Sequence, residues 1–160
     1  MIKRVIIVGK SCSGKDTLRK RIERKFGMTY AVSYTSRPRR EGEVEGDDYH
    51  FISDEVAEQF IEANIFFECA VFNGWYYGIT KAQFKESHIF IMTPSGLKEV
   101  PEKDRKESLV VYLDMPRLLR GGRMADRNDD NDDITRRMLA DEEDFKDFTD
   151  YDIKITNEDF

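Results

Sequence analysis

Gly9, Gly14 and Lys15, in the stretch VGKSCSGKDT, follow the spacing G-x-x-x-x-G-K of a phosphate-binding loop. In such a loop the backbone N–H groups of residues 9 to 15 cradle phosphate oxygens, and the helix that follows adds the positive end of its dipole. Lys15 would reach the terminal phosphates of a nucleoside triphosphate. The alternative is a tight strand–helix turn with an incidental lysine. The pattern next expects a Ser or Thr hydroxyl for Mg²⁺, and this chain has Asp16 there, an anion at the mouth of an anion site. Two readings of Asp16 stand. Its carboxylate can touch Mg²⁺ directly or through the ion's water shell. It can equally be ordinary first-turn helix chemistry, where acidic residues are favoured. Cys12, inside the cradle, is either a small filler or, at a helix N-terminus, a reactive thiol. Further on, SRPRR places Arg37 and Arg40 three residues apart. Such a pair suits a monophosphate dianion. By itself it is equally a solvated basic patch or a nucleic-acid contact.

The elements that must position these groups follow from periodicity. IKRVIIVG is a short β-branched run ending at Gly9, which reads as a buried strand entering the loop. DTLRKRIERKFG spaces Leu18, Ile22 and Phe26 four apart and stops at Gly27, an amphipathic helix with a glycine C-cap. A glycine-rich loop between a strand and a helix is the context in which the motif is credible. TYAVSYT reads as a second strand, SRPRREGEVEGDD as a loop, and SDEVAEQFIEAN as a helix capped by Ser53. Asn73-Gly74 lies between two aromatic-rich runs, the strongest short hairpin signal. HIFIM and SLVVYL are further buried strands. Residues 115 to 148 read as helical with a break near RNDDNDD, and YDIKIT as a last strand. Strands alternating with helices indicate an α/β fold with a mainly parallel sheet.

Composition bounds the rest. A chain of 160 residues is one domain by size, and 36% charged against 39% hydrophobic residues implies a thin core under a charged surface. The net charge of −6 argues against nucleic-acid coating. Cys12 and Cys69 show neither disulfide nor zinc spacing, which points to a reducing, cytoplasmic setting. The N-terminal apolar run is too short for a signal peptide or membrane span. No repeat or linker suggests a second domain, and the oligomeric state is not legible.

The segment VSYTSRPRREGEVEGDDYHFIS resembles the GMP-binding segment of guanylate kinases, S-x-T-[TS]-R-x-x-R-x-G-E-x-x-G-x-D-Y-x-F. Ser33, Thr35, Arg37, Arg40, Gly42, Glu43, Gly46, Asp48, Tyr49 and Phe51 fit it. FFECAVFNGWYYG resembles the family's next segment through Glu68, Gly74, Tyr77 and Gly78. RMADRNDDNDDITRRM is similar to the family lid with one residue fewer, which puts Arg123, Arg127 and Arg137 at the lid arginines, with Arg120 a competitor. A surface helix with ordinary salt bridges is the alternative for this segment. An acidic Ca²⁺ loop from Asp126 is excluded, because Asn131 and Arg137 stand where that loop needs Gly and Glu.

The resemblance implies a P-loop kinase three-layer α/β fold with a mainly parallel core sheet, a mixed α+β acceptor-binding insertion and a helical lid. Within a single domain it implies a core of residues 1–32, 81–116 and 138–160, an acceptor-binding part at 33–80 and a lid at 117–137. It further implies ATP with Mg²⁺ as donor and GMP or dGMP as acceptor. ATP contacts would come from Gly9, Ser11, Cys12, Ser13, Gly14, Lys15, Asp16, Thr17, Arg123 and Asn157. GMP contacts would come from Ser33, Arg37, Arg40, Tyr49, Glu68, Tyr77 and the positions of Ile79 and Thr93. Lys15, Arg37, Arg127 and Arg137 would be catalytic, and Asp16 the candidate metal contact. The chemistry agrees: Glu68 can accept from guanine N1–H and the 2-amino group, and Ser33 can donate to O6.

Four positions depart from the family pattern. Ile79 replaces a Ser or Thr that touches guanine, unless Thr80 substitutes by a shift. Ile91 and Thr93 replace two aspartates on one strand. Asp16 replaces the loop hydroxyl. The chain stops at Phe160 where the family continues into another helix, so either a compact version folds without it or another subunit covers the flank. One lost neutral hydrogen bond is worth about 1 kcal/mol, a loosening of base choice and no inversion. The alternatives are a nucleoside monophosphate kinase of broader or altered base specificity, and a non-catalytic guanylate-kinase-like module that binds a phosphorylated or acidic peptide.

Overall fold

The structure is a computed structural model that describes residues 1–126 and 133–160. In chain order its elements are β1 (Arg4–Gly9), α1 (Lys15–Phe26), β2 (Tyr34–Thr35), β3 (His50–Phe51), α2 (Asp54–Glu62), β4 (Phe66–Phe72), β5 (Trp75–Thr80), α3 (Lys81–Glu86), β6 (Ile89–Met92), α4 (Pro94–Lys98), α5 (Glu102–Lys106), β7 (Ser108–Leu113), α6 (Arg117–Asp126), α7 (Ile134–Phe145) and β8 (Ile153–Ile155). They form two compact units, Met1–Thr29 with Ile89–Phe160, and Tyr30–His88. Among the described residues no helix is long and apolar enough to cross a membrane.

The first unit is built on a parallel sheet of order β6-β1-β7-β8. Ile6, Ile7, Val8, Ile89, Phe90, Val110 and Leu113 are wholly buried. Their strands are continuous apolar runs because a parallel sheet is covered on both faces. β1 is central, so the loop that leaves its carboxyl end opens where ligands bind in such sheets.

Helix α1 forms and ends at Gly27 in the left-handed conformation, as the sequence indicates. Its buried face differs from the expected one. Leu18 and Ile22 are half-buried and Phe26 is 64% exposed, whereas Arg19 is 3% exposed. Arg19 tolerates burial because its guanidinium meets Glu23 at 3.0 Å and Asp16 at 3.7 Å.

The second unit carries a mixed sheet of order β3-β2-β5-β4. The expected hairpin is present, with β4 and β5 antiparallel and Asn73 and Gly74 at φ 53° and 80°. Positive φ at both turn residues is what a two-residue primed turn requires. Ser53 caps α2, its hydroxyl accepting from the Val56 N–H at 3.3 Å. The second expected strand, TYAVSYT, forms a regular strand only at Tyr34–Thr35, with an isolated bridge at Tyr30. Just before it, a side chain takes a carbonyl a ladder would use, Gln83 Nε2 bonding that of Val32 at 2.7 Å, while the His50 N–H of β3 bonds the Ser33 carbonyl at 2.9 Å as part of the β2–β3 pairing.

Three short helices, α3, α4 and α5, are absent from the periodicity reading. The signal for α3 was available. Thr80 and Gln83 make a T-x-x-Q capping box in which each side chain bonds the other's backbone.

Candidate active site

The phosphate loop lies in the first unit. Gly14 caps α1 at φ 95°, a left-handed conformation that turns the loop into the helix and that only glycine adopts without strain. Lys15 folds back over the loop and donates to the carbonyls of Gly9 at 2.7 Å and Lys10 at 3.0 Å. Burial pushes its ammonium below the usual value, against the carboxylates of Asp16 and Asp141, which hold it up. A buried ammonium gains stability when a polyanion arrives beside it. Ser11, Cys12 and Ser13 form the body of the loop, with Cys12 itself at φ 59° and Ser13 wholly buried. Asp16 and Thr17 stand exposed in the first turn of α1. The Asp16 carboxylate is 63% exposed beside Arg19.

Two expected lid arginines stand near this loop. Arg123, on α6, donates to the Cys12 carbonyl at 3.2 Å and pairs with Glu158 at 3.2 Å. Arg137, on α7, is close enough to Lys15 to depress its basicity. Arg127 lies outside the described residues. Arg120, weighed as a lid competitor, is instead 1% exposed and bound to Asp141 and Glu142. Asn157 follows β8 and accepts from the Asp159 N–H at 3.1 Å.

The residues of the second unit singled out by the sequence are arranged on one sheet face. Thr35 faces Tyr77 and Phe51, Ala70 faces Tyr77, and Glu68 faces Ile79. Side chains alternate along a strand, so Thr35, Phe51, Glu68, Tyr77 and Ile79 share a face. Arg37, buried, lies with its guanidinium carbon 5.5 Å from the Tyr49 ring centre and 5.9 Å from that of Phe51. The Tyr49 and Tyr77 rings meet edge to face at 6.0 Å.

An anion already occupies the arginines. Glu43 accepts from Arg37 Nη2 at 2.7 Å and from the Arg40 N–H at 2.8 Å, with Arg40 Nη1 at 3.9 Å. Burial alone would raise the Glu43 carboxyl, yet Arg37 and Arg40 hold it below the usual range. Burial alone would likewise lower Arg37, and its bond to Glu43 outweighs that and raises it. The carboxylate thus fixes a planar donor fork suited to a phosphate.

Ser33 is buried, and Ile79 is 1% exposed within the sheet. Thr80 does not replace the hydroxyl missing at Ile79: its Oγ1 accepts from the Gln83 N–H at 3.2 Å as the cap of α3. Thr93, in the first unit, caps α4 by accepting from the Gly96 N–H at 3.0 Å. Asp141 and Glu142, which the sequence reading passed over, grip the loop at Ser11 and Lys10. The available signal was the acidic run Asp141-Glu142-Glu143-Asp144, beginning one helical turn after Arg137.

Comparison with known proteins accords with this arrangement. The guanylate kinase family profile matches residues 1–160. Guanylate kinases of Nostoc sp. and Prochlorococcus marinus are 31% and 32% identical, over 99% and 97% of this chain and 83% and 89% of theirs. The crystal structure of guanylate kinase from Anaplasma phagocytophilum shares the fold, with a TM-score of 0.72 over 99% of this chain and 79% of that one at 23% identity. With a phosphate loop opening from the central strand of a parallel sheet, and an arginine–tyrosine cluster on a mixed sheet, the chain belongs to the guanylate kinase family.

Proposed function

We propose that this chain transfers the γ-phosphoryl group of ATP to GMP or dGMP. The observation that carries the proposal is the pair Arg37 and Arg40 held by Glu43, on a sheet unit whose one face also carries Glu68 and Tyr77. The arginines and the hydroxyls of Tyr49 and Tyr77 would hold the acceptor phosphate, and Ser33 and Glu68 the guanine edge. Residues 33–80 are the proposed acceptor-binding part and 117–137 the proposed lid.

Lys15 and the amides of the loop would hold the donor. The Lys15 ammonium would leave the carbonyls of Gly9 and Lys10 for the phosphate oxygens. Arg123 and Arg137 would neutralise charge on the moving phosphoryl group, which crosses in line between two oxygens with no covalent enzyme intermediate. Mg²⁺ enters with ATP, where it would spread the phosphate charge. Asp16 fits as a protein contact to it: an exposed carboxylate beside the loop, an oxygen donor of the kind this ion takes.

A kinase of broader base choice is the second reading, favoured by buried Ile79 and by the engagement of Thr80 as a helix cap. The binding-module reading is disfavoured by the complete Gly14-Lys15 loop. A coupled assay with MgATP against a panel of ribo- and deoxynucleoside monophosphates tests all three. GMP or dGMP should turn over fastest at equal concentration. Faster turnover of AMP, CMP or dTMP would overturn the base assignment, and failure to bind ATP would leave the binding module.

A further inference from the structure

Two consecutive carboxylates on α7 hold the first limb of the phosphate loop. Asp141, 6% exposed, accepts from the Ser11 N–H at 3.0 Å and from Arg120 Nη1 at 2.9 Å through Oδ2, and from the Ser11 hydroxyl at 3.0 Å through Oδ1. Glu142 accepts from Lys10 Nζ at 2.7 Å and from Arg120 Nη2 at 3.0 Å. The Arg120 guanidinium, from α6, therefore bridges both carboxylates, and its Nε donates to the Met115 carbonyl at 3.3 Å. One buried cation ties α6 and the turn after β7 to the carboxylates of α7 that hold the loop.

Stability alone is a poor reason for such a network, since well-packed apolar residues often serve a buried site equally well. What charge-assisted bonds with fixed directions supply is geometry. The geometry here has two consequences. The Ser11 N–H is turned to Asp141, so its limb of the loop is held by the helix, and phosphate oxygens are left to amides further along. Arg137 also lies four residues before Asp141, on the same face of α7. Anchoring Asp141 to Ser11 fixes one face of α7 against the loop, and that face carries Arg137. The Lys15 ammonium feels both side chains.

We propose that Asp141, locked by Arg120, is a positioning residue for phosphoryl transfer that couples the shape of the phosphate loop to the placement of Arg137. The inference rests on the reading of the chain as an ATP-using kinase. A role as mere charge makes the opposite prediction for ATP: a carboxylate beside a polyanion site repels the ligand, so its neutralisation should tighten binding. A positioning role predicts weaker binding.

The test uses the full chain with Asp141→Asn, Ser11→Ala and both together. Calorimetry measures MgATP affinity, steady-state kinetics measure kcat and both KM values, and melting curves confirm folding at the assay temperature. Asp141→Asn should weaken MgATP about fivefold or more and lower kcat at least tenfold, with the KM for GMP within twofold of the unmodified protein. Adding Ser11→Ala should change it less than twofold further, because both act through one contact. MgATP binding that is unchanged or tighter, kcat within threefold, or independent multiplication of the two effects would overturn the proposal. If Asp141→Asn fails to fold, Ser11→Ala alone decides. It leaves the Asp141–Arg120 pair in place, and should lower kcat about threefold or more at an unchanged melting temperature; kcat equal to that of the unmodified protein refutes the coupling. An unmodified protein that binds MgATP but phosphorylates no nucleoside monophosphate would sink the kinase reading, and the calorimetric comparison would still judge the loop anchor.

Discussion

Replacing Asp16 by Asn deletes one charge at the mouth of the loop and keeps the side-chain shape. Its structural cost can be worked out. The carboxylate lies 3.7 Å from Arg19. At that separation two unit charges attract by about 1 kcal/mol in bulk water. Because the Asp16 side chain is 63% exposed, screening makes that figure a ceiling. Arg19 also keeps Glu23 at 3.0 Å, so the guanidinium is not stranded. The first-turn position of Asp16 adds about 0.3–1 kcal/mol from the helix dipole. The sum is about 1 kcal/mol, a fall in melting temperature of about 2–4 °C for a chain of this size. If Asp16 also contacts Mg²⁺, the Mg²⁺ concentration for half-maximal rate should rise at least about tenfold, equivalent to about 1.4 kcal/mol. The assay is a Mg²⁺ titration of turnover at saturating ATP and GMP, run beside a thermal melt. An unchanged Mg²⁺ midpoint with the small loss of melting temperature would refute the metal contact and leave Asp16 a helix-stabilising residue.

Arg40→Ala should raise the acceptor KM about 10- to 100-fold and leave the donor KM within twofold, the worth of a charge-assisted bond to phosphate. Lys15→Met should lower kcat at least about 100-fold; an active variant would remove the loop from the mechanism. Because its folded carboxyl is held below the unfolded value of 4.5, Glu43 stabilises the protein above that pH and ceases to do so as pH falls through its lower folded value. Glu43→Gln should thus be less stable at pH 7 by about 1.5–3 kcal/mol, with the gap to the unmodified protein closing in acid denaturation as pH falls below 4.5. Burial and the Glu68 charge push the Cys69 thiol up to about 11, so iodoacetamide at pH 8 should leave Cys69 unlabelled in the folded protein, as peptide mass spectrometry would show.

What the sequence by itself determined is what lies within a few residues of chain. The spacing of Gly9, Gly14 and Lys15, the left-handed cap at Gly27, the Ser53 cap and the Asn73-Gly74 turn are each specified by local backbone sterics and short-range hydrogen bonds, which no distant residue has to supply. The buried strands of the first unit were legible for a related reason, since a parallel interior demands unbroken apolar runs. Periodicity misjudged α1, because it ranks a residue by its own polarity: Arg19 is buried since Glu23 and Asp16 reach it, while Phe26 stays 64% exposed. Only tertiary structure could place Glu68 and Ile79 opposite each other on the face that carries Tyr77. It alone bends α7 back so that Asp141 meets Ser11, 130 residues away in the chain, because the energy of a buried charge depends on which partners the fold delivers to it and not on its sequence neighbours.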